Sequence, residues 1–275
     1  MTAVLTPTRP APPSAARIAL ARVRLELRLF ARERQQVVFS FAYPVVMMVV
    51  FGSVLGGDIA PGGVPFPSYF LAGITATGIM LSSFQSLATS IAVERESGQL
   101  ERLQLLGTSP VAYFAGKAGL VLVTSAVQLA LLLPVARYGY EVPLPVDLAH
   151  WVTFAWVAAL GSLAGTVLGI GASALRGSAA SVTTAVSAFT VVLQFFSGVF
   201  FVFPELPSWM QQVAALFPLK WLTQGMRSAF LPEGASGFEV AGGWEHGRTA
   251  LVLVAWVIIG VVVCVRTFRW RRADG

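Results

Sequence analysis

Six long stretches without a charged residue constrain the fold of this chain more than any other feature. Each runs for at least 17 residues without Asp, Glu, Lys or Arg, and they are residues 35–57, 59–93, 118–136, 148–175, 177–204 and 249–265. A charge at the centre of a bilayer is costly, so long apolar stretches of this kind indicate membrane-spanning helices. We predict an all-α integral membrane protein with six transmembrane helices, at about 37–55, 69–92, 115–136, 152–174, 182–203 and 249–266.

The composition agrees with a membrane protein. Of the 275 residues 56% are hydrophobic and 12% are charged, and the mean hydropathy is +0.73. Ordinary soluble domains carry about 25% charged residues. These values argue against a soluble enzyme, a DNA-binding protein and a disordered chain. The net charge of +6 therefore indicates contact with anionic membrane lipids and not with nucleic acid.

The distribution of Arg and Lys orients the predicted helices. With the N-terminus inside, the inner segments hold 15 of these residues and the outer segments hold 4. Basic residues accumulate on the cytoplasmic side of a membrane. We therefore expect both termini in the cytoplasm, which requires an even number of spans and agrees with six.

The N-terminal region divides into two parts. Residues 1–16 are rich in Pro, Ala and Thr, and we predict a disordered tail. Residues 17–35 have the periodicity of an amphipathic helix in the inner membrane interface. Its apolar face would carry Leu20, Val23, Leu27 and Phe30, and its basic face Arg17, Arg24, Arg28 and Arg32. The alternative is a solvated basic segment that leads into the first span.

The chain has no sequence motif for its own catalysis. It lacks the phosphate-binding loop G-x-x-x-x-G-K-[ST], H-E-x-x-H and G-x-S-x-G. Its one cysteine, Cys264, and two distant histidines cannot form a zinc site. No acid lies in the six predicted spans. We expect no catalytic residue, no bound metal and no cofactor on this chain, so any pump activity would take its energy from another subunit.

A cytoplasmic segment after the second span, residues 93–112, is more specific. Three acids, Glu94, Glu96 and Glu101, lie near its start, and leucines follow at helical spacing at positions 100, 103 and 106. A short helix with an acidic start and an apolar stripe suits a groove on a partner protein. The alternative is a solvated charged turn.

This segment resembles the E-x-E-x-G-T-L-E signature of type-2 ABC exporter permeases. The matching residues are Glu94, Glu96, Gly98, Leu100 and Glu101. Gln99 stands where the family has Thr, and Ser109 separates a Thr-Pro pair that the family keeps together. The resemblance implies that the segment, with Leu103, is the coupling helix that docks onto an ABC ATPase subunit.

A second resemblance lies between spans five and six. A Leu-Pro-x-Trp turn at 206–209, a Phe-Pro-Leu turn at 217–219 and a later arginine follow in the family's order. The resemblance implies two short re-entrant helices at the outer leaflet over 204–231. The residues concerned are Pro207, Trp209, Pro218, Trp221 and Arg227. We expect Trp209 and Trp221 in the headgroup belt; the alternative is an ordinary extracellular loop.

The resemblance implies an assembly. Two permeases, as a homodimer or with a close paralogue, would sit on two ATPase subunits that hold ATP and Mg. The sequence is most similar to the daunorubicin-resistance type of drug-efflux permeases. Its preference for Arg over Lys, with abundant Ala and Val, is typical of a GC-rich bacterial genome. We expect a multi-pass protein of the bacterial plasma membrane.

The candidate substrate path consists of Gln85, Gln194, Phe195 and Phe196. Aromatic rings with few polar groups suit a hydrophobic or amphipathic drug better than an ion or a free sugar. Export of a lipid or of a polysaccharide is the alternative within transporters. An integral membrane enzyme and a non-transporting membrane scaffold are alternatives from other classes.

Overall fold

The structure, a computed structural model, describes residues 15–55, 58–60 and 64–267. This part of the chain contains six helices that are long and apolar enough to cross a membrane. They span Arg34–Val54, Phe66–Glu96, Pro110–Gly139, Leu148–Ser173, Ala179–Phe196 and His246–Arg266. The prediction of an all-α membrane protein with six spans is confirmed.

Eleven α-helices make up the described fold. They are α1 (Ala15–Arg32), α2 (Arg34–Val54), α3 (Phe66–Met80), α4 (Leu87–Glu96), α5 (Gln99–Leu105), α6 (Pro110–Pro134), α7 (Leu148–Ser173), α8 (Ala179–Phe196), α9 (Ser208–Ala215), α10 (Pro218–Phe230) and α11 (His246–Thr267). A π-helical segment, Leu81–Ser86, joins α3 to α4, and another, Val135–Gly139, extends α6. Short 3₁₀ turns occupy Phe203–Glu205 and Glu233–Phe238. Strands β1 (Asp58–Ala60) and β2 (Val64–Pro65) form a small antiparallel ribbon.

The continuous helix α3–α4 is the centre of the fold. Every residue of α3 is buried, and α2, α7 and α10 pack around it. Helix α7 approaches the π segment Leu81–Ser86 of the α3–α4 helix through glycines spaced four residues apart. A β-carbon at Gly169 would lie 2.8 Å from the carbonyl oxygen of Phe84, and one at Gly165 would lie 2.0 Å from Ser83 Oγ. Only glycine allows this approach of the two helices.

The fifth span is shorter than predicted. It was expected to reach residue 203, but α8 ends at Phe196. Gly198 then adopts φ +71°, a left-handed conformation that turns the chain out of the helix. The Thr223 hydroxyl on α10 donates at 2.8 Å to the carbonyl of Ser197, which the end of the helix leaves without a helical partner. An apolar sequence alone does not reveal this end, because the partner for the freed carbonyl comes from a distant helix.

Helix α1 lies against α6. It begins at Ala15 and ends at Arg32, within a few residues of the predicted 17–35. The predicted disordered tail falls mostly on residues 1–14, which lie outside the described residues. The face toward α6 is not purely apolar, because it carries Arg22 and Glu26 beside Val23. Position in the membrane interface remains a prediction.

The segment between α8 and α11 contains two short helices, as predicted for 204–231. Helix α10 is buried along its whole length among α3, α7 and α11. Trp209 on α9 is 58% exposed. Trp221 is buried, and its indole N–H donates to the carbonyl of Ala215 at 2.8 Å. Its predicted place in the headgroup belt is therefore corrected, whereas the depth of both helices in a membrane remains a prediction.

Candidate functional site

A cavity of about 950 Å³ lies between α1, α2, the α3–α4 helix, α6 and α8. Two of the four predicted path residues, Gln85 and Gln194, line it. The Tyr43 hydroxyl donates to Gln194 Oε1 at 3.0 Å and fixes the amide at the cavity wall. The cavity is large enough for a drug-sized ligand.

The two predicted aromatic residues lie outside this cavity. Phe195 is exposed, and its ring lies 5.1 Å from that of Phe200. Phe196 packs edge-on against Trp209, with ring centroids 5.8 Å apart. Successive helical residues point about 100° apart, so Gln194 and its two neighbours cannot share one wall. A place for these rings in a path between two copies remains a prediction.

The lining is more polar than the sequence indicated. Twelve of its 25 residues carry a hydroxyl or an uncharged amide. Five of these polar residues follow one face of the α3–α4 helix: Ser82, Gln85, Ser86, Thr89 and Ser90. The first three belong to the π segment, and π segments occur frequently at functional sites. The expectation of an aromatic wall with few polar groups is corrected.

A buried lysine lies beside the cavity and ties three helices together. Lys117 of α6, only 1% exposed, donates to Glu26 Oε2 of α1 at 2.9 Å and to Ser90 Oγ at 2.8 Å. It also donates to Glu94 Oε1 of α4. Glu26, Glu94 and Ser90 all line the cavity. This network therefore connects the cavity wall to the last turn of α4.

Two further side chains complete the network. The Tyr113 hydroxyl donates to Glu94 Oε2 at 2.6 Å, and Arg22 pairs with Glu26 at 2.9 Å. The two carboxylates are thus balanced by the two cations Arg22 and Lys117. A buried charge is tolerated when it is paired and hydrogen-bonded in this way.

Sequence reasoning missed Glu26 and Lys117. Signals were present, because Lys117 is one of only two lysines and falls inside the predicted third span, and Glu26 is the one acid among the residues 17–32. A lone charge in an apolar span, such as Lys117, requires a partner. The identity of that partner was not readable, because the two residues are 91 positions apart.

The predicted coupling acids face this chain's own helices. Glu94 is held by Lys117, and Glu96 Oε2 accepts the backbone N–H of Ala179, in the first turn of α8, at 2.9 Å. Arg95 reaches the carbonyl of Leu175 at 3.4 Å. Glu94 and Glu96 therefore hold this segment against α6 and α8 of the same chain, and their contact with an ATPase subunit remains a prediction. Gly98 makes the turn into α5 with φ +72°.

Helix α5 divides the predicted apolar stripe between the core and the surface. Leu100 is buried in a cluster that includes Ile91 and Tyr113, and Leu103 is half-buried against it. Leu105 and Leu106 are instead 87% and 80% exposed. Glu101 is exposed as well. The apolar surface that remains open to a partner is therefore Leu105 and Leu106, and Leu100 is committed to the chain's own core.

A second buried charge pair holds the region between α10 and α11. Arg227 donates from Nε and Nη2 to the two carboxylate oxygens of Glu239, at 2.5 and 3.0 Å. Its guanidinium lies 5.0 Å from the ring centre of Tyr69.

Within residues 15–55, 58–60 and 64–267, no group of three or more His, Cys, Asp or Glu side chains could hold a metal ion.

The buried Lys220 should make the stability of the protein depend on pH. Burial lowers its pKa from 10.5 to about 8, although Glu239 raises it in part. Between pH 8 and pH 10.5 this lysine binds more protons in the unfolded chain than in the folded chain. The free energy of unfolding should therefore rise as the pH increases over this range. Lys220→Met should remove this rise, because Met does not bind a proton. The measurement is the thermal unfolding midpoint in detergent across this pH range.

The matched control is Arg137→Met, because Arg137 is exposed and is not among the charges that shift the pKa of Lys220. It should leave the pH dependence in place. A variant Lys220→Met that keeps the full rise above pH 8 would contradict the assignment of this titration to Lys220.

Comparison with known proteins gives one family. The family model described as ABC-2 type transporter matches residues 20–231. A search of curated proteins finds no match. The matched region contains the cavity, the Lys117 network and helices α5, α9 and α10.

Proposed function

The chain belongs to the ABC-2 type transporter family, and from this premise we propose that it is the membrane subunit of an ATP-driven exporter of amphipathic drugs. The observation that carries the proposal is the cavity of about 950 Å³ whose wall includes Glu94, four residues before Gly98 and α5. The cavity wall thus reaches the proposed docking helix, because Gln99, the first residue of α5, also lines the cavity.

The ATPase subunit would dock on α5. Leu105 and Leu106 supply the exposed apolar surface that such a contact needs. ATP and Mg would be held by that subunit. A displacement of α5 would be transmitted through Glu94 and Lys117 to the cavity wall, because the Lys117 ammonium donates a hydrogen bond to the Glu94 carboxylate. The permease needs two states that differ in their affinity for ATP and for substrate.

A second permease copy would complete the path. Helix α8 presents Val191, Val192 and Phe195 as exposed apolar side chains on the flank of the cavity. Such a face must meet lipid or another protein chain. We propose that it meets the second copy, either identical or a close paralogue, in a bacterial plasma membrane.

The proposed topology makes a labelling prediction. With both termini in the cytoplasm, the turn Glu233–Phe238 faces outward and α5 faces inward. In a Cys264→Ala background, Gly237→Cys should react with a membrane-impermeant thiol reagent in intact cells, because Gly237 is exposed and a β-carbon there meets open space. Gln104→Cys, also exposed, should react only after permeabilisation. The reverse pattern would invert the proposed orientation.

The experiment that tests the function is reconstitution. The permease and an ABC ATPase subunit encoded beside it would be placed together in proteoliposomes. We expect amphipathic drugs to stimulate ATP hydrolysis and to be moved across the membrane in an ATP-dependent way. Stable assembly without any ATP-dependent movement would favour the scaffold function, and movement of lipids alone would favour a lipid exporter.

A further inference from the structure

The cavity exposes hydrogen-bonding groups that the protein itself does not use. On one wall these are Ser82, Gln85, Ser86 and Thr89, all half-buried. On the α2 side they are Gln36 and Ser40. Within the described part of the chain, no hydrogen bond is recorded for any of these six side chains. Each hydroxyl and amide both donates and accepts, so together they can bind groups that also do both.

The charges around the cavity cancel. Glu26 and Glu94 are neutralised by Arg22 and Lys117. The two other charged lining residues, Arg32 and Glu33, are of opposite sign and are both exposed to water. A cationic ligand would find no free buried carboxylate, and an anionic ligand would find no free buried cation. Taking either charge out of water without a partner is costly.

Nine of the 25 lining residues are apolar. They include Leu29 and Phe30 of α1, Phe39 of α2, and Leu120, Val121 and Val191 on the other side. A ligand that matches the whole cavity therefore has an apolar part and a neutral part rich in groups that donate and accept hydrogen bonds. Hydroxyl groups are the simplest chemistry that satisfies this description.

We propose that the cavity selects amphiphiles whose polar part is uncharged and carries several hydroxyl groups, as in an alkyl glycoside. This inference rests on the proposed export function and names its substrate class. The polar groups of a site built to bind hydroxyls are left unpaired by a ligand that lacks them, so such a site discriminates strongly.

The test uses three probes with the same tail and different head groups: octyl glucoside, octyltrimethylammonium and octyl sulfate. The full chain, assembled with its ATPase subunit in lipid nanodiscs, is equilibrated with each radiolabelled probe, and binding to empty nanodiscs is subtracted. We expect octyl glucoside to bind at least about tenfold more tightly than either charged probe. Equal or tighter binding of a charged probe overturns the inference.

A pair of variants locates the binding. Gln85→Leu combined with Thr89→Val should weaken octyl glucoside binding by about tenfold, because two hydrogen-bonding groups are lost. The control Thr184→Val should leave it unchanged, since Thr184 is exposed on α8 and bonds only to its own helix. Unchanged binding by the double variant overturns the inference. If that variant does not insert into the membrane, the inference is tested by the relative affinities of the parent protein for the three probes.

The outcomes separate this inference from the proposed function. ATP-driven uptake of octyltrimethylammonium in preference to the glucoside would overturn the head-group selection and leave amphiphile export standing. If none of the three probes binds above the empty nanodisc, the inference fails. If in addition none stimulates ATP hydrolysis or is transported, the export of amphiphiles fails with it.

Discussion

Replacing Lys117 by Met will destabilise the membrane subunit by about 3–5 kcal/mol. Lys117 is buried and holds both Glu26 and Glu94. Without its ammonium, two carboxylates remain close together at the cavity wall, with Arg22 and the hydroxyls of Tyr113 and Ser90 beside them. The measurement is the unfolding midpoint in detergent together with the amount of inserted protein.

The cost of Lys117→Met comes from the carboxylates left behind, so their removal should reverse it. A triple variant that adds Glu26→Gln and Glu94→Gln should recover most of the lost stability, because replacing a whole buried charge network is often neutral. Its ATP-driven transport should stay low, since α1, α4 and α6 are no longer tied by charge. A single variant as stable as the parent would show that the network does not hold these helices.

Replacing Leu105 and Leu106 by Asp will abolish binding of the ATPase subunit. Both side chains are exposed on the free permease, so the double variant should insert and unfold like the parent. In the assembled complex two buried leucines are lost and two unpaired charges are added. We expect a loss of about 3 kcal/mol or more in binding free energy, which is at least about a hundredfold in affinity.

The measurement is capture of the ATPase subunit by the tagged permease, with quantified binding at several concentrations. Leu148→Asp serves as the control, because Leu148 is equally exposed but begins α7 at the opposite end of the bundle. The control should capture the ATPase like the parent. Full capture by the Leu105→Asp, Leu106→Asp variant would place the docking surface elsewhere.

The spans were predictable because a charge-free stretch has few other stable arrangements in a bilayer. Five of the six helix positions lie within a few residues of the expected ones. The exception at the end of α8 depends on Gly198 and on a hydrogen bond from Thr223, and neither leaves a trace in hydropathy. The short helices α9 and α10 were predicted from prolines and from the family resemblance.

The candidate site was predictable in its location and less so in its chemistry. Gln85 and Gln194 were predicted to lie on a substrate path and both line the cavity, while their contact with a substrate stays a prediction. Apart from Gln85, the polar face of α3–α4 was not assigned to the path, since polar side chains in a span commonly form hydrogen bonds between helices. The roles of Glu94 and Glu96 depend on Lys117 and Ala179, which only the packing of distant helices brings near.

The most direct test of the account is ATP-driven uptake into inside-out proteoliposomes that contain the permease and its ATPase subunit. The account predicts that the parent accumulates a fluorescent amphiphile only when ATP is hydrolysed. It also predicts that the Leu105→Asp, Leu106→Asp variant accumulates none, although the ATPase subunit alone still hydrolyses ATP. Uptake by that variant at the rate of the parent, or uptake by the parent without ATP, would contradict the account.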